Sequence, residues 1–300
     1  MAQTIRNPVE WVVDELREVA GGVGQASRSV QHTSTHLFSR DLAVSKITVA
    51  DLKEVLVKGF DDFMAYRTDI IFLILVYPTI SLVLGAAAFQ YELIPLLFPL
   101  ASGSVILGPF VGVFLYEMSR RREINLQRHH PDSHSWSNAV SVARSRNFGA
   151  ILALGGILAA LYLLWLICAW GIYQSVRGPQ PIESAAFFVR EVFMTDAGWL
   201  LIALGCGVGL LFAVVAMFIS VVSFPLMLDR DVGLGTAIQT SVRAVITNPV
   251  PMVAWGIVVG AGLVIGSIPL FIGLAVVMPV LCHATWHLYR KLLPRHVPQS

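Results

Sequence analysis

The chain has 300 residues, of which 56% are hydrophobic and only 13% charged, with a mean hydropathy of +0.71. A soluble domain carries nearly twice that charged fraction, so an ordinary water-soluble globule is excluded. A net charge of +2 is too small to drive nucleic-acid binding.

The first 69 residues hold no long apolar run. Asn7-Pro8 has the chemistry of a helix start, and Gly21-Gly22 that of a stop. Between them Val9, Val12, Val13, Leu16, Val19 and Ala20 form one apolar stripe, beside a face holding Glu10, Asp14, Glu15 and Glu18. Helices that lie on anionic lipid are usually rich in Lys and Arg. The acidic face therefore favours protein, either the chain's own body or a partner reached through Trp11 and Leu16. Residues 21–45 are rich in Gly, Ser and Thr and read as a flexible linker, in which His32 and His36 are solvated rather than a metal pair.

Thr48 followed by Asp51 resembles a capping box and predicts a helix over 49–66. Leu52, Val55, Leu56, Phe60, Phe63 and Met64 recur at helical spacing, with Lys53, Glu54, Lys58, Asp61 and Asp62 off the stripe. This helix is expected to lie along the cytoplasmic interface.

A bilayer core of about 30 Å needs roughly 20 apolar residues per helix. Ile70–Phe89, Leu93–Met118, Phe148–Tyr173 and Trp199–Phe224 meet that length. Met252–Tyr289 is too long for one span, and Gly266-Ser267-Ile268-Pro269 divides it into two. Six spans place nineteen Lys and Arg on one side and two on the other, which by the positive-inside rule puts both termini in the cytoplasm. Five spans would strand Arg290, Lys291 and Arg295 outside. The first apolar run starts at residue 70, so it is expected to act as its own targeting signal rather than as a cleaved leader.

The expected fold is thus all-α: a polytopic membrane helical bundle of six transmembrane helices with amphipathic cytoplasmic N-terminal helices. Residues 1–45 form a cytoplasmic arm, 46–292 the membrane domain and 293–300 a cytoplasmic tail. The spans are nearly free of ionisable groups, which speaks against ion coupling or proton pumping. Cys168, Cys206 and Cys282 lie inside spans without CxxC spacing and read as small buried apolar residues. Pro99, Gly103, Pro109 and Arg120 share their spacing with Pro269, Gly273, Pro279 and Arg290, either by coincidence or as a parallel repeat of kinked hairpins. Gly205 and Gly209, with Gly155-Gly156, suggest close helix contact, within the bundle or between two copies.

Three groups of residues are candidates for a site. His283 and His287 are four apart, a spacing that can hold a metal with help from His129, His130, His134 or Glu117. The commoner reading of Trp, Tyr, His and Arg together at a span's end is an interfacial belt, and no HExxH glutamate is in place for hydrolysis. Asp229-Arg230-Asp231 opens a cytoplasmic loop with an amphipathic run ended by Asn248-Pro249, which reads as a partner-binding surface or a plain connector. Arg120-Arg121-Arg122 reads as a topology determinant and then as a lipid headgroup site. No P-loop, nucleophile elbow, dinucleotide fingerprint or Ser/His/Asp grouping stands out, so no enzyme activity and no cofactor are expected.

Three stretches, PLLFPLASGSVILGPFVGVFLYEMSRRRE (95–123), SFPLMLDRDVGLGTAIQTSVRAVITNPVPMVAWG (223–256) and PVLCHATWHLYRK (279–291), together resemble a bacterial family of integral membrane proteins of unknown function, some of which carry the label of cytochrome c oxidase subunits. The resemblance spans residues 46–292. Cys282 departs from it where glycine is expected, which puts close helix approach there in doubt. A catalytic haem–copper subunit needs several histidines within its spans. All eight here lie in cytoplasmic segments or at the cytoplasmic end of the sixth span, so the catalytic oxidase reading is rejected. The leading expectation is a non-enzymatic accessory, assembly or interaction subunit of the inner membrane, in contact with lipid and with a membrane or cytoplasmic protein, or with a second copy of itself. A carrier for a neutral or lipidic substrate and a cytoplasmic-face haem or metal site are the alternatives.

Overall fold

The computed structural model describes residues 42–66, 86, 94–128, 146–178, 184–268 and 273–294. Every regular element among them is helical. The expected helix at 8–20 and most of the expected first span lie outside the described residues, as do His32, His36, His129, His130 and His134.

Helix α1 (Val49–Ala65) starts with a complete capping box: the Thr48 side chain accepts from the Asp51 amide, and the Asp51 carboxylate accepts from the Thr48 amide at 2.7 Å. A 3-10 turn (Ile94–Leu96) leads into α2 (Leu97–Val111), and α3 (Val113–Gln127) follows after a break at Gly112. Then come α4 (Phe148–Arg177), α5 (Ala185–Met194), α6 (Asp196–Ser220), α7 (Ser223–Asp229), α8 (Leu234–Thr247), α9 (Pro249–Ser267) and α10 (Leu274–Leu292). Asn248 caps the end of α8 and Pro249 takes the first position of α9, where its missing N–H costs nothing.

Helices α2, α4 and α6 pack together as an apolar layer. Gly103 lets α2 approach the rings of Tyr162 and Trp165 on α4, and Gly155 accepts the Phe110 ring. Trp165 Nε1 donates to the Pro99 carbonyl at 3.1 Å, so a polar group in an apolar setting has its partner. Gly209 faces Trp165, whereas a Cβ on Gly205, Gly207 or Gly156 would meet nothing within 4 Å among the described residues. Among the described residues, only part of the small-residue pattern is therefore an internal contact.

Three stretches among the described residues are long and apolar enough to cross a membrane: Phe148–Arg177, Asp196–Asp229 and Pro249–Ser267. A fourth arises if Ile94–Gly103 and Val105–Val111, bent by 41°, count as one span. In the most apolar windows of the first three, only 28%, 6% and 22% of residues are buried. Leu204, Leu210, Leu211, Val253, Ile257 and Val264 point away from the protein. Contiguous apolar faces of this size require a partner, and in a bilayer hydrocarbon supplies it.

The expected second and sixth spans take a different form. The second is divided at Gly112 into apolar α2 and polar α3. The sixth, α10, does not pass as a span: its first half is apolar, but from Cys282 it carries His283, His287, Arg290 and Lys291 and is largely buried. It forms a hairpin with α9, in which Gly266 and Gly273 meet backbone to backbone. Its polar half packs on α1 in the most extensive helix pairing among the described residues. Cys282, where glycine was expected, packs against Gly112, so the small residue that allows close approach stands on the opposite helix.

Candidate functional site

The sequence Tyr116-Glu117-Met118-Ser119-Arg120-Arg121-Arg122-Glu123 winds α3 so that successive residues face different neighbours. Glu117 is buried and turns back along its own helix, where Arg120 holds both its oxygens at 2.6 and 2.9 Å and Arg121 adds a bond at 2.6 Å. Ser119 and Arg122, three apart, face α1. Glu123 faces α10.

Asp62 of α1 is the centre of the cluster and is 4% exposed. Its Oδ1 is bonded by Arg122 Nη1. Its Oδ2 accepts from the Ser119 hydroxyl at 2.5 Å and lies 2.9 Å from His287 Nε2. Ser119 Oγ also lies 2.7 Å from His283 Nδ1. An ionised carboxylate only accepts, so Ser119 gives its one proton to Asp62, and His283 must then donate from Nδ1. Burial alone would raise the Asp62 carboxyl, but the bond from His287, the attraction to that ring and the Ser119 hydroxyl outweigh it, and Asp62 is held below its ordinary value. The His283 ring stacks on Tyr66, with centroids 6.1 Å apart, and the Tyr66 hydroxyl donates to the Met118 carbonyl at 3.0 Å.

Two further clusters occupy the neighbouring turns of α10. Glu123 accepts from Trp286 Nε1 at 3.1 Å and from Arg290 at 2.9 to 3.1 Å. Asp229, at the end of α7, accepts from the Tyr289 hydroxyl at 2.8 Å and has Arg290 Nη1 at 3.6 Å. At the last turn Lys291 reaches Asp51 at 2.7 Å and Glu54 at 2.6 Å. These bonds hold the Asp51 and Glu54 carboxyls down, Glu54 to about 2. The segment before α1 joins the same end: Ser45 donates its amide to the Leu292 carbonyl at 2.8 Å, while Asn248 accepts from the Ile47 amide at 2.8 Å and donates to the Ser45 carbonyl at 3.2 Å.

The expected site residues are thus redistributed. His283 and His287 share one face of α10, but their ring nitrogens are directed to Ser119 and Asp62. Among the described residues no three His, Cys, Asp or Glu side chains are grouped to hold a metal ion. Arg120, Arg121 and Arg122 each pair with a buried carboxylate of the chain. Asp229 is turned inward and Arg230 donates to the Leu293 carbonyl at 3.2 Å, which leaves Asp231 as the exposed member of that triplet. Trp11 and Leu16 lie outside the described residues.

Sequence reasoning missed Asp62, Ser119 and Glu123 as members of one site. Ser119, His283 and Asp62 do come together, but Ser119 donates to the carboxylate and receives from the imidazole. This is the reverse of the bonding that activates a serine nucleophile. The arrangement is a network of fixed charges and shared protons that ties α1, α3, α7 and α10 into one head beside the apolar layer.

Residues 97–229 match a family described as "Predicted integral membrane protein (DUF2189)", a membrane family of unknown function. The match takes in α2 to α7, with most of the first of the three resembling stretches and the start of the second. No curated protein and no solved structure matches the chain.

Proposed function

We propose that the protein is a non-enzymatic interaction subunit of a bacterial inner membrane, with both termini in the cytoplasm and the α1–α3–α7–α10 head displayed on that side. One observation carries this reading: successive turns of α10 from His283 to Lys291 are pinned to α1, α3 or α7. Such a cross-braced head suits the display of a surface more than a cycle of opening and closing. With Asp229 turned inward, the surface offered to a partner moves to the outer face of α8, where Gln239, Arg243 and Ile246 are exposed. Asp231 extends that surface, and Trp11 and Leu16 are proposed from the sequence as further partner contacts.

Native mass spectrometry of the full chain in mild detergent tests the proposal. A second polypeptide in fixed ratio, lost in an Arg243→Glu/Ile246→Glu variant that keeps its melting temperature, is the expected result. A bare chain from membranes of its own cell overturns it.

A carrier for a neutral or lipidic substrate is the second reading, favoured by the 41° bend within Ile94–Val111 and by Pro109 and Pro279 inside their helices. Pro109→Ala and Pro279→Ala would then change flux in proteoliposomes, and unaltered flux would remove it.

A further inference from the structure

Between α4 and α6 the chain forms α5, and this helix has a face that nothing among the described residues covers. Ser184 caps it by accepting from the Phe187 amide, and Thr195 ends it while capping α6 through the Gly198 amide at 3.0 Å. Phe188, Glu191 and Val192 point inward: Phe188 meets Tyr173 edge to face at 6.2 Å, and Glu191 pairs with Arg177 at 2.7 Å. The α5–α6 corner is tight, since a Cβ on Gly198 would clash with the carbonyl oxygens of Glu191 and Val192. Among the described residues, the contacts that hold this helix are thus made from one side.

The opposite side carries Ala186, Val189, Phe193 and Met194 around a single charge, Arg190, and these residues line a shallow apolar groove. Val189 and Phe193 are each 54% exposed and Met194 is 76% exposed. Trp199 and Leu200 at the start of α6 and Trp170 toward the end of α4 are exposed as well, at the end of these two spans that α5 joins. Two exposed tryptophans at neighbouring span ends mark the level where hydrocarbon gives way to headgroups.

We propose that α5 is a membrane-surface helix whose outer face beds in lipid, with Arg190 reaching the headgroup phosphates. An apolar face interrupted by one long cation suits an anionic bilayer surface, because the arginine stem lies along apolar surface while the guanidinium reaches phosphate. A second copy packed on the same face about a two-fold axis would bring two Arg190 guanidinium groups toward each other, an arrangement like charges oppose. The inference stands on the membrane spans alone and is independent of the interaction role proposed above.

Spin labels test it on the full chain in vesicles of phosphatidylethanolamine and phosphatidylglycerol. Cys168→Ser and Cys206→Ser supply the background, with Cys282 left buried beside Gly112. Labels at Val189→Cys and Phe193→Cys are compared with a lipid-facing reference at Leu211→Cys and a water-facing one at Asp231→Cys. The expected result is an oxygen-to-nickel-chelate collision ratio close to that of position 211 and several-fold above that of position 231. A ratio equal to that of position 231 overturns the proposal in favour of a helix standing in water. Protection from both reagents overturns it in favour of a protein cover. Ala186→Cys provides a third position on the same face should either label disturb folding.

Discussion

Gly59 and Ala284 meet where α1 crosses α10, and a Cβ on Gly59 would stand 2.6 Å from the Ala284 backbone nitrogen and 2.7 Å from its Cβ. The neighbouring atoms are mostly backbone, so they cannot swing aside. Gly59→Ala is expected to force the helices apart and lower stability by about 1–3 kcal/mol, as overpacking does. Ala284→Gly should restore only part of this, because the backbone nitrogen stays in place. Thermal unfolding in detergent measures both, and an unchanged midpoint for Gly59→Ala would contradict the crossing.

Asp62→Asn keeps the shape of the central carboxylate and removes its charge. Arg122 then loses its counter-charge, and His287 its carboxylate partner, in a largely buried place. Breaking such a pair typically costs about 3–5 kcal/mol. Arg122 is partly exposed, which moves the expected loss toward the lower end. Adding Arg122→Met should recover part of it. A loss no larger than that of the exposed pair Lys58–Glu54, measured with Lys58→Met, would show that the cluster contributes little.

The same carboxylates set the acid response. The folded values of Asp62 and Glu54 lie below their ordinary values of 3.8 and 4.5. Their contribution is therefore fully present above those values and is lost as pH falls through the folded ones. The head is expected to hold from neutral pH down to about pH 5 and to loosen between there and about pH 2. Tyr66 and Trp286 flank the affected clusters, so near-ultraviolet circular dichroism against pH should report the change. A flat signal down to pH 2 would be the contrary result.

At the other end of the bundle, Gly198→Ala is expected to open the α5–α6 corner, since its new methyl would collide with two backbone carbonyls. The effect should be local: the Arg177–Glu191 pair weakens while the α1–α10 head stays intact. Proteolysis between Met194 and Gly198 should quicken several-fold, with the main melting transition nearly unmoved. Unaltered cleavage would argue that the corner adjusts without strain.

The apolar helices α4, α6 and α9 were legible because their signal is compositional and local, and the capping box of α1 because Thr48 and Asp51 are three residues apart. The spacing of His283 and His287 was equally visible, but their partners were not. Ser119 lies 164 residues from His283, and Asp62 lies 225 residues from His287. No periodicity links positions so distant. Asp229 was read as surface from its charged neighbours, whereas its burial is decided by Tyr289 and Arg290. The second half of α10 passed for a membrane span because Trp, Tyr, His and Arg there look like an interfacial belt. Polar partners from three other helices make it instead the axis of a buried head. Helix α5 was overlooked inside a loop read only for its charge, although Ser184 and the apolar residues from Ala185 to Phe193 carried the signal.

The bonds between Asp62 and His287, and between Ser45 and Leu292, give the order of synthesis a physical meaning. Until α10 leaves the ribosome, Asp62, Glu123 and Asp229 wait without the bonds that His287, Arg290 and Tyr289 later give them. A nascent chain that has made the helices up to α9 but not α10 thus carries these carboxylates without those partners. Closure of the head waits on α10, the latest made of the described helices.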